Sequence, residues 1–313
     1  MELLKNLYSI HSPSRGEGAL TRFVVDWTKK NVPSAVMSVD EVGNVLITKG
    51  NAINYPCFVA HLDQVQKKYA NDYEVIENNG ILFGFSRSLN AFQGLGADDK
   101  NGVYCCLRLL QELENIKIAL FTGEEVGGVG SSAVDVSFFD DVLFVVEIDR
   151  RGSSDLIVNA SCVELCSDDF ANIIVNTGFG FAPASGLFTD VVNLKERGVN
   201  VCCCNLSAGY YNAHSVEEIT VFSELINTLN LCRYLANTIS EPMEHIYTPY
   251  HYSYNADNDY YNYCDSMDYY TLCELLDFGV TSFKSLWRNY KHLFTCSKKE
   301  AQKMYNEAIL YYE

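Results

Sequence analysis

The stretch "GLGADDKNGVYCCLRLLQELE" at 94–114 decides how the chain is read. It opens in a glycine turn, sets Asp98 beside Asp99, and then runs on with apolar residues at helical spacing. That pattern predicts a helix over 98–114 that begins at the acidic pair. Next comes "IKIALFTG" (116–123), a short apolar run predicted to be a strand, which delivers a second acidic pair, Glu124 and Glu125, again among glycines.

Working outward, "PCFVAHLD" (56–63), "DVLFVVEID" (141–149) and "VNVCCCNL" (199–206) read as further buried strands. "SAVMSVD" and "NVLITKG" read as two strands around "DEVGN", and "DYEVIENNGILFGF" (72–85) as a hairpin turning at Asn79-Gly80. Helical spacing marks 17–31, 190–198 (with Gly198 as its stop) and 215–240 after an irregular lead-in. Strands alternating with helices predict an α/β fold, with a mixed, mainly parallel sheet sandwiched by helices. From 247 to 270 the chain is crowded with Tyr, Asn and Asp, and apolar spacing then returns, which predicts a loop followed by two helices.

A chain of 313 residues with 48% hydrophobic residues can bury a substantial core. Its formal charge of -17 repels nucleic acid and anionic membranes and favours cationic ligands, metal ions included. The opening "MELLKNLYSIHSPS" lacks the apolar core of a secretory leader, and no apolar run reaches the length of a membrane span. With 12 cysteines and no CxxC pair, the expectation is a reduced, cytoplasmic protein in which Cys202, Cys203 and Cys204 act as small hydrophobes.

Sheets of this kind place ligands outside the carboxyl ends of their strands. His61 and Asp63 end one predicted strand, and Glu147 and Asp149 end another. Glu124 and Glu125 follow a third, Asp98 opens the helix, and His214 lies in the loop after "VCCCNL". Paired acids at a helix start also complement the helix dipole. Here, however, several carboxylates and two imidazoles would meet at one edge and repel one another unless cations were held among them. Two divalent metals, sharing one carboxylate, resolve that conflict.

The ordered motifs are "HLD" (61–63), "GADDKNG" (96–102), "TGEEVGGVGS" (122–131), "EIDR" (147–150) and "YNAHSVEE" (211–218). With the opening "HSPSRGEGALTRFVVDW" and the late "GLFTDVVNLKERGVNVC", the chain resembles the co-catalytic two-zinc exopeptidase superfamily over roughly residues 1–240. That superfamily includes peptidase T, the leucyl aminopeptidases, and related carboxypeptidases and deacylases. The resemblance implies that His61 and Asp149 complete one metal site, with Glu147 competing for the second place. Glu125 and His214 would complete the other, and Asp98 would bridge the two. Glu124 would be the general base, and Asp63 would orient His61. The implied cofactors are two zinc ions, for which cobalt or manganese are acceptable substitutes.

Some relatives insert a lid or dimerisation domain, but the spacings from Asp63 to Asp98 and from Asp149 to His214 are short. The expectation is therefore a single catalytic domain over 1–241 without a lid domain, followed by a Tyr-rich loop and helical extension over 242–313. The implied activity is hydrolysis of short peptides, as an aminopeptidase. The alternatives are an amidohydrolase acting on small acyl-amino acids and a non-catalytic metal-binding relative that serves as a binding protein. Arg150 and Arg151 are further candidates, either for holding a substrate carboxylate or for a structural ion pair. Oligomeric state and residue preference stay open.

Overall fold

The computed structural model describes residues 1–248, 272, 282–291 and 297–309. Two helices, α1 (Glu2–Tyr8) and α2 (Gly18–Asn31), precede the strands β1 (Val36–Val39), β2 (Val45–Lys49) and β3 (Tyr55–His61). Then come β4 (Tyr73–Asn78), β5 (Ile81–Ser86), β6 (Ala91–Gln93), α3 (Ala97–Glu112) and β7 (Ile116–Phe121). After a 3-10 turn at Glu124–Val126 follow α4 (Val129–Ala133), β8 (Val142–Arg150), β9 (Asp155–Ala160), β10 (Val163–Glu164) and α5 (Asp168–Val175). The remaining elements up to residue 248 are β11 (Ala182–Gly186), α6 (Asp190–Glu196), β12 (Cys203–Ser207), β13 (Tyr210–Tyr211), β14 (Ile219–Val221) and α7 (Phe222–Thr238).

The main sheet runs β1-β2-β7-β3-β8-β12-β9-β10, with β11 on β9. Its centre, β7-β3-β8-β12, is parallel, and β2 and β9 join it antiparallel. The four central strands are buried along most of their length, which is why they read as unbroken apolar runs rather than alternating ones. Helix α3 packs across β3, β7 and β8, and α6 packs against β8 and β12. The core fills the space between, with Phe58, Ile118 and Val146 from the strands and Leu107 and Leu110 from α3 all fully buried.

A second, antiparallel sheet joins β13-β14-β5-β4, with β6 on β5. Its hairpin turns where expected, with Asn79 and Gly80 both at positive φ (51° and 82°). The helix expected over 215–240 starts later. Residues 219–221 instead form β14, paired with β5 and β13. The β-branched run Ile-Thr-Val suits a strand, and helix α7 begins only at Phe222. Sequence spacing also held no sign of α5, β9, β11 or β13.

Helix α3 crosses β8 so closely at Gly102 that a Cβ there would press on the Ile148 carbonyl and lie 2.5 Å from the Asp99 carboxylate. Gly102→Ala should therefore cost about 1–3 kcal/mol by overpacking. A urea melt showing an unchanged midpoint would remove the close approach as the reason for this glycine.

The chain divides into two compact units. One holds 1–159, 163–185 and 189–247; the other holds 160–162, 186–188 and 248–313. In the second, α8 (Phe283–Tyr290) and α9 (Lys298–Ile309) lie within the two stretches whose apolar spacing predicted helices, and much of the first stretch falls outside the described residues. Ser297 and Glu300 exchange main-chain hydrogen bonds across the first turn of α9, a capping box legible as "SKKE". Phe283 stacks on Trp287 and meets Tyr305 edge-on. The Tyr-rich loop expected over 247–270 falls almost entirely outside the described residues.

Candidate metal centre

Segments distant in sequence bring acids and imidazoles together where the central strands end. His61 is the last residue of β3, Glu124 and Glu125 follow β7, and Asp149 lies near the end of β8. Asp98 sits in the first turn of α3, and His214 lies in the loop between β13 and β14. His61 Nε2 is 2.9 Å from Asp98 Oδ1 and 3.4 Å from Asp149 Oδ1. His214 Nε2 is 3.1 Å from Asp98 Oδ2 and 3.0 Å from Glu125 Oε2.

Asp98 therefore turns one oxygen to each imidazole. Ligand atoms of His61, Asp98 and Asp149 lie within 4.8 Å of one another, as do those of Asp98, Glu125 and His214. Glu124 Oε2 stands 4.0 Å from His61 Nε2.

The two acids at the helix start do different work. The Asp98–Asp99 peptide is cis, and neither residue has helical dihedrals (φ −80°, ψ 100° and φ −121°, ψ 40°). Asp98 faces the imidazoles. Asp99 accepts from the Gly102 N–H at 2.9 Å, capping the helix, and from the His61 N–H at 3.1 Å, tying α3 to β3. Asp63 holds both neighbours of the centre. It lies 3.3 Å from His61 Nδ1, accepts from Ser14 Oγ, and accepts the Glu124 and Glu125 N–H groups at 2.9 and 3.3 Å.

Burial pushes the Glu124 and Asp149 carboxyls well above the usual carboxylate range. Repulsion by Asp149 adds to the first, and repulsion by Asp98 to the second. Burial would also raise Asp98, but hydrogen bonds from His214 and His61 hold it well below its ordinary value. Burial would lower the two imidazoles, yet the surrounding carboxylates outweigh it: His61 is raised, and Asp98 and Glu125 lift His214 to about 11.

Burial and mutual repulsion thus disfavour the charged carboxylates, and divalent cations held among them would offset both. Three observations fit cations here. The donors are imidazole nitrogens and carboxylate oxygens, a set suited to zinc. Glu125 Oε1 is buried without a hydrogen-bond partner. Among the described residues Asp149 Oδ1 has no such partner either, and it lies 3.4 Å from the His61 imidazole.

Glu147, the expected competitor of Asp149, points elsewhere. It accepts from the Thr189 hydroxyl and from the Asp190 and Val191 N–H groups at 3.1 and 3.3 Å, and so caps α6. Arg150 pairs with Asp155 at 3.1 Å. Cys202, Cys203 and Cys204 are buried, and burial pushes the Cys203 thiol up to about 12, so it stays protonated as a small hydrophobe.

Sequence reading missed the residues behind the centre. Asn205 on β12 accepts the Asp149 N–H at 2.9 Å and donates to Thr189 Oγ1 at 3.0 Å. Glu218 accepts main-chain N–H groups at the start of α3. Only the position of Glu218, four residues after His214 on the approach to a strand, could have signalled it.

The chain has the fold of a group of solved peptidase structures. Aminopeptidase PepT from Bacillus cereus matches with a TM-score of 0.62 and 14% identity, over 75% of this chain and 96% of that one. A tripeptidase from Staphylococcus aureus matches at 0.58 and 14%, over 76% and 98%. The TET1 peptidase of Pyrococcus horikoshii, which can assemble into a tetrahedron or a large octahedral shell, matches at 0.55 and 15%, over 75% and 98%. A curated relative from Pyrobaculum aerophilum, named as a LysW-lysine/LysW-ornithine hydrolase, is 28% identical over 136 residues. That match covers 42% of this chain and about a third (36%) of the relative's length. No family model matches.

Proposed function

We propose that the chain is a metal-dependent exopeptidase that hydrolyses short peptides from the amino end by means of two divalent ions, zinc in the first instance. The observation that carries this reading is the sharing of Asp98 between two groups of candidate ligands, His61 and Asp149 on one side and Glu125 and His214 on the other. In this reading residues 1–241 form the catalytic domain, and 242–313 an extension to it. When bound, the ions supply a water that ionises near neutral pH and polarise the scissile carbonyl.

The residues of the chain do the rest. Glu124, 4.0 Å from His61 Nε2, accepts the proton of the attacking water and returns it to the leaving nitrogen. Asp63 fixes the ring of His61 and the main chain of Glu124, so ligand and base keep a common frame. The His214 side chain is 35% exposed, whereas those of His61 and Asp63 are fully covered, so substrate would approach from the His214 side. The acidic surroundings favour the ammonium of a peptide's first residue over a terminal carboxylate.

The shared fold with an aminopeptidase and a tripeptidase supports peptides as substrates. The name of the curated relative supports a second reading, hydrolysis of an acyl or amino-acid conjugate. Metal content together with turnover of free dipeptides, N-blocked dipeptides and acyl-amino acids separates the readings. The first expects two ions per chain and cleavage of free peptides only. Cleavage confined to acyl-amino acids would transfer the assignment to the second, and a folded chain that takes up no metal would end both.

A further inference from the structure

Behind Asp98 lies a buried acid that belongs to neither group of candidate ligands. Glu218 is 0% exposed. Its Oε2 accepts the Gly96 N–H at 2.5 Å and Gln66 Nε2 at 3.3 Å; its Oε1 accepts the Asp98 N–H at 3.1 Å. The carboxylate thus sits in a nest of main-chain donors formed by the turn that presents Asp98.

The Tyr69 hydroxyl donates to the Leu95 carbonyl and the Lys100 N–H to the Gly96 carbonyl, but neither bond reaches the Asp98 N–H. Asp98 has non-helical dihedrals, so the regular hydrogen bonds of α3 do not fix it. Gly96 lies in the left-handed region at φ +67°. We infer that Glu218 is a positioning residue: it clamps the main chain of Asp98 so that the two carboxylate oxygens divide between the two ion sites. This rests on the reading of Asp98 as a shared ligand.

The clamp has a second arm and a fixed base. His214, four residues earlier in the same segment, meets Asp98 Oδ2 at 3.1 Å. Residues 214–218 therefore grip Asp98 at its side chain and at its backbone. Two residues further on, Thr220 Oγ1 lies 2.7 Å from the Tyr8 hydroxyl and accepts from Asn101 Nδ2 at 3.1 Å. All three side chains are buried, so the base of the clamp is anchored to α1 and α3. A buried carboxylate is costly unless its acceptors are used. Here both oxygens are used, and by main-chain donors of one turn.

Glu218→Gln tests the role at constant volume. Each oxygen of the acid receives a main-chain N–H, so either orientation of the amide sets its NH2 against a donor. The experiment titrates the metal-free full-length chain with cobalt(II), following the visible absorption and the ions bound per chain. Wild type should take up two ions. The folded E218Q protein should bind cobalt about tenfold more weakly or worse at one or both sites, with altered absorption bands, as for other residues that support metal ligands.

Unchanged stoichiometry, affinity and spectrum in folded E218Q would overturn the clamp while leaving the two-ion reading intact. Failure of wild type to take up two ions would remove the reading beneath it, and that result is seen before any variant is compared. If circular dichroism shows E218Q unfolded, Gln66→Leu decides the matter, since it withdraws the side-chain donor to Glu218, together with one acceptor of Gln64 Nε2, and leaves Glu218 itself in place. Weaker cobalt binding with a shifted spectrum supports the clamp, and no change in either overturns it.

Discussion

Glu124→Gln is expected to reduce peptide hydrolysis by about 10²–10⁴-fold, the usual contribution of a positioned acid–base group. Its ion content should not change. The amide keeps the size of the side chain but cannot take a proton, and Glu124 belongs to neither group of ligands that share Asp98. Its main-chain N–H remains bonded to Asp63, so the turn carrying Glu125 should stay in place. A fall of this size is about 3–6 kcal/mol in the barrier at about 1.4 kcal/mol per decade. Steady-state rates on a cleaved dipeptide, with zinc measured on the same sample, give both readings at once. Full activity in the variant would show that the proton is handled elsewhere. Lost activity accompanied by lost zinc would place Glu124 among the ligands.

Asp98→Ala should have the larger effect on the ions. Each of the other four candidate ligands belongs to one group, whereas Asp98 belongs to both. Its removal is therefore expected to abolish stoichiometric binding at both sites, with turnover falling to background. Stability supplies an independent readout. A ligand that binds only the folded state stabilises it by about 2.7 kcal/mol at a hundredfold excess over its dissociation constant. Zinc should thus raise the melting temperature of the wild type and leave that of Asp98→Ala nearly unmoved. The metal-free variant, having lost the carboxylate that both imidazoles stabilise, should melt no higher than the metal-free wild type. Two tightly held ions in this variant would refute Asp98 as their common ligand.

The parts of this centre legible in the sequence were those written next to a strand or helix end. "HLD", the two acid pairs and "EID" follow or precede apolar runs whose character survives in a single sequence, because the central strands are buried along most of their length. The choice between Glu147 and Asp149 was not legible. Both acids lie on one strand two residues apart, and only the arrival of the α6 N-terminus, which takes up Glu147, separates them. The late start of α7 was hidden for a related reason. The segment 215–221 runs without a break into the helical spacing of α7, but pairing with β5 and the hydrogen bonds to Glu218 decide its conformation, and both partners lie far away in the chain. Asp63 looked like a partner of His61 alone, since its bonds to Glu124 and Glu125 depend on how β3 and β7 align.

The two groups that meet at Asp98 also differ in when they can exist. His61, Asp98 and Asp149 have all been synthesised once β8 is made, whereas Glu125 must wait for His214, which lies some 65 residues after Asp149. On the ribosome the first triad is therefore complete as a set of residues well before the second. A chain interrupted between these points holds every residue of the first group and lacks His214 of the second.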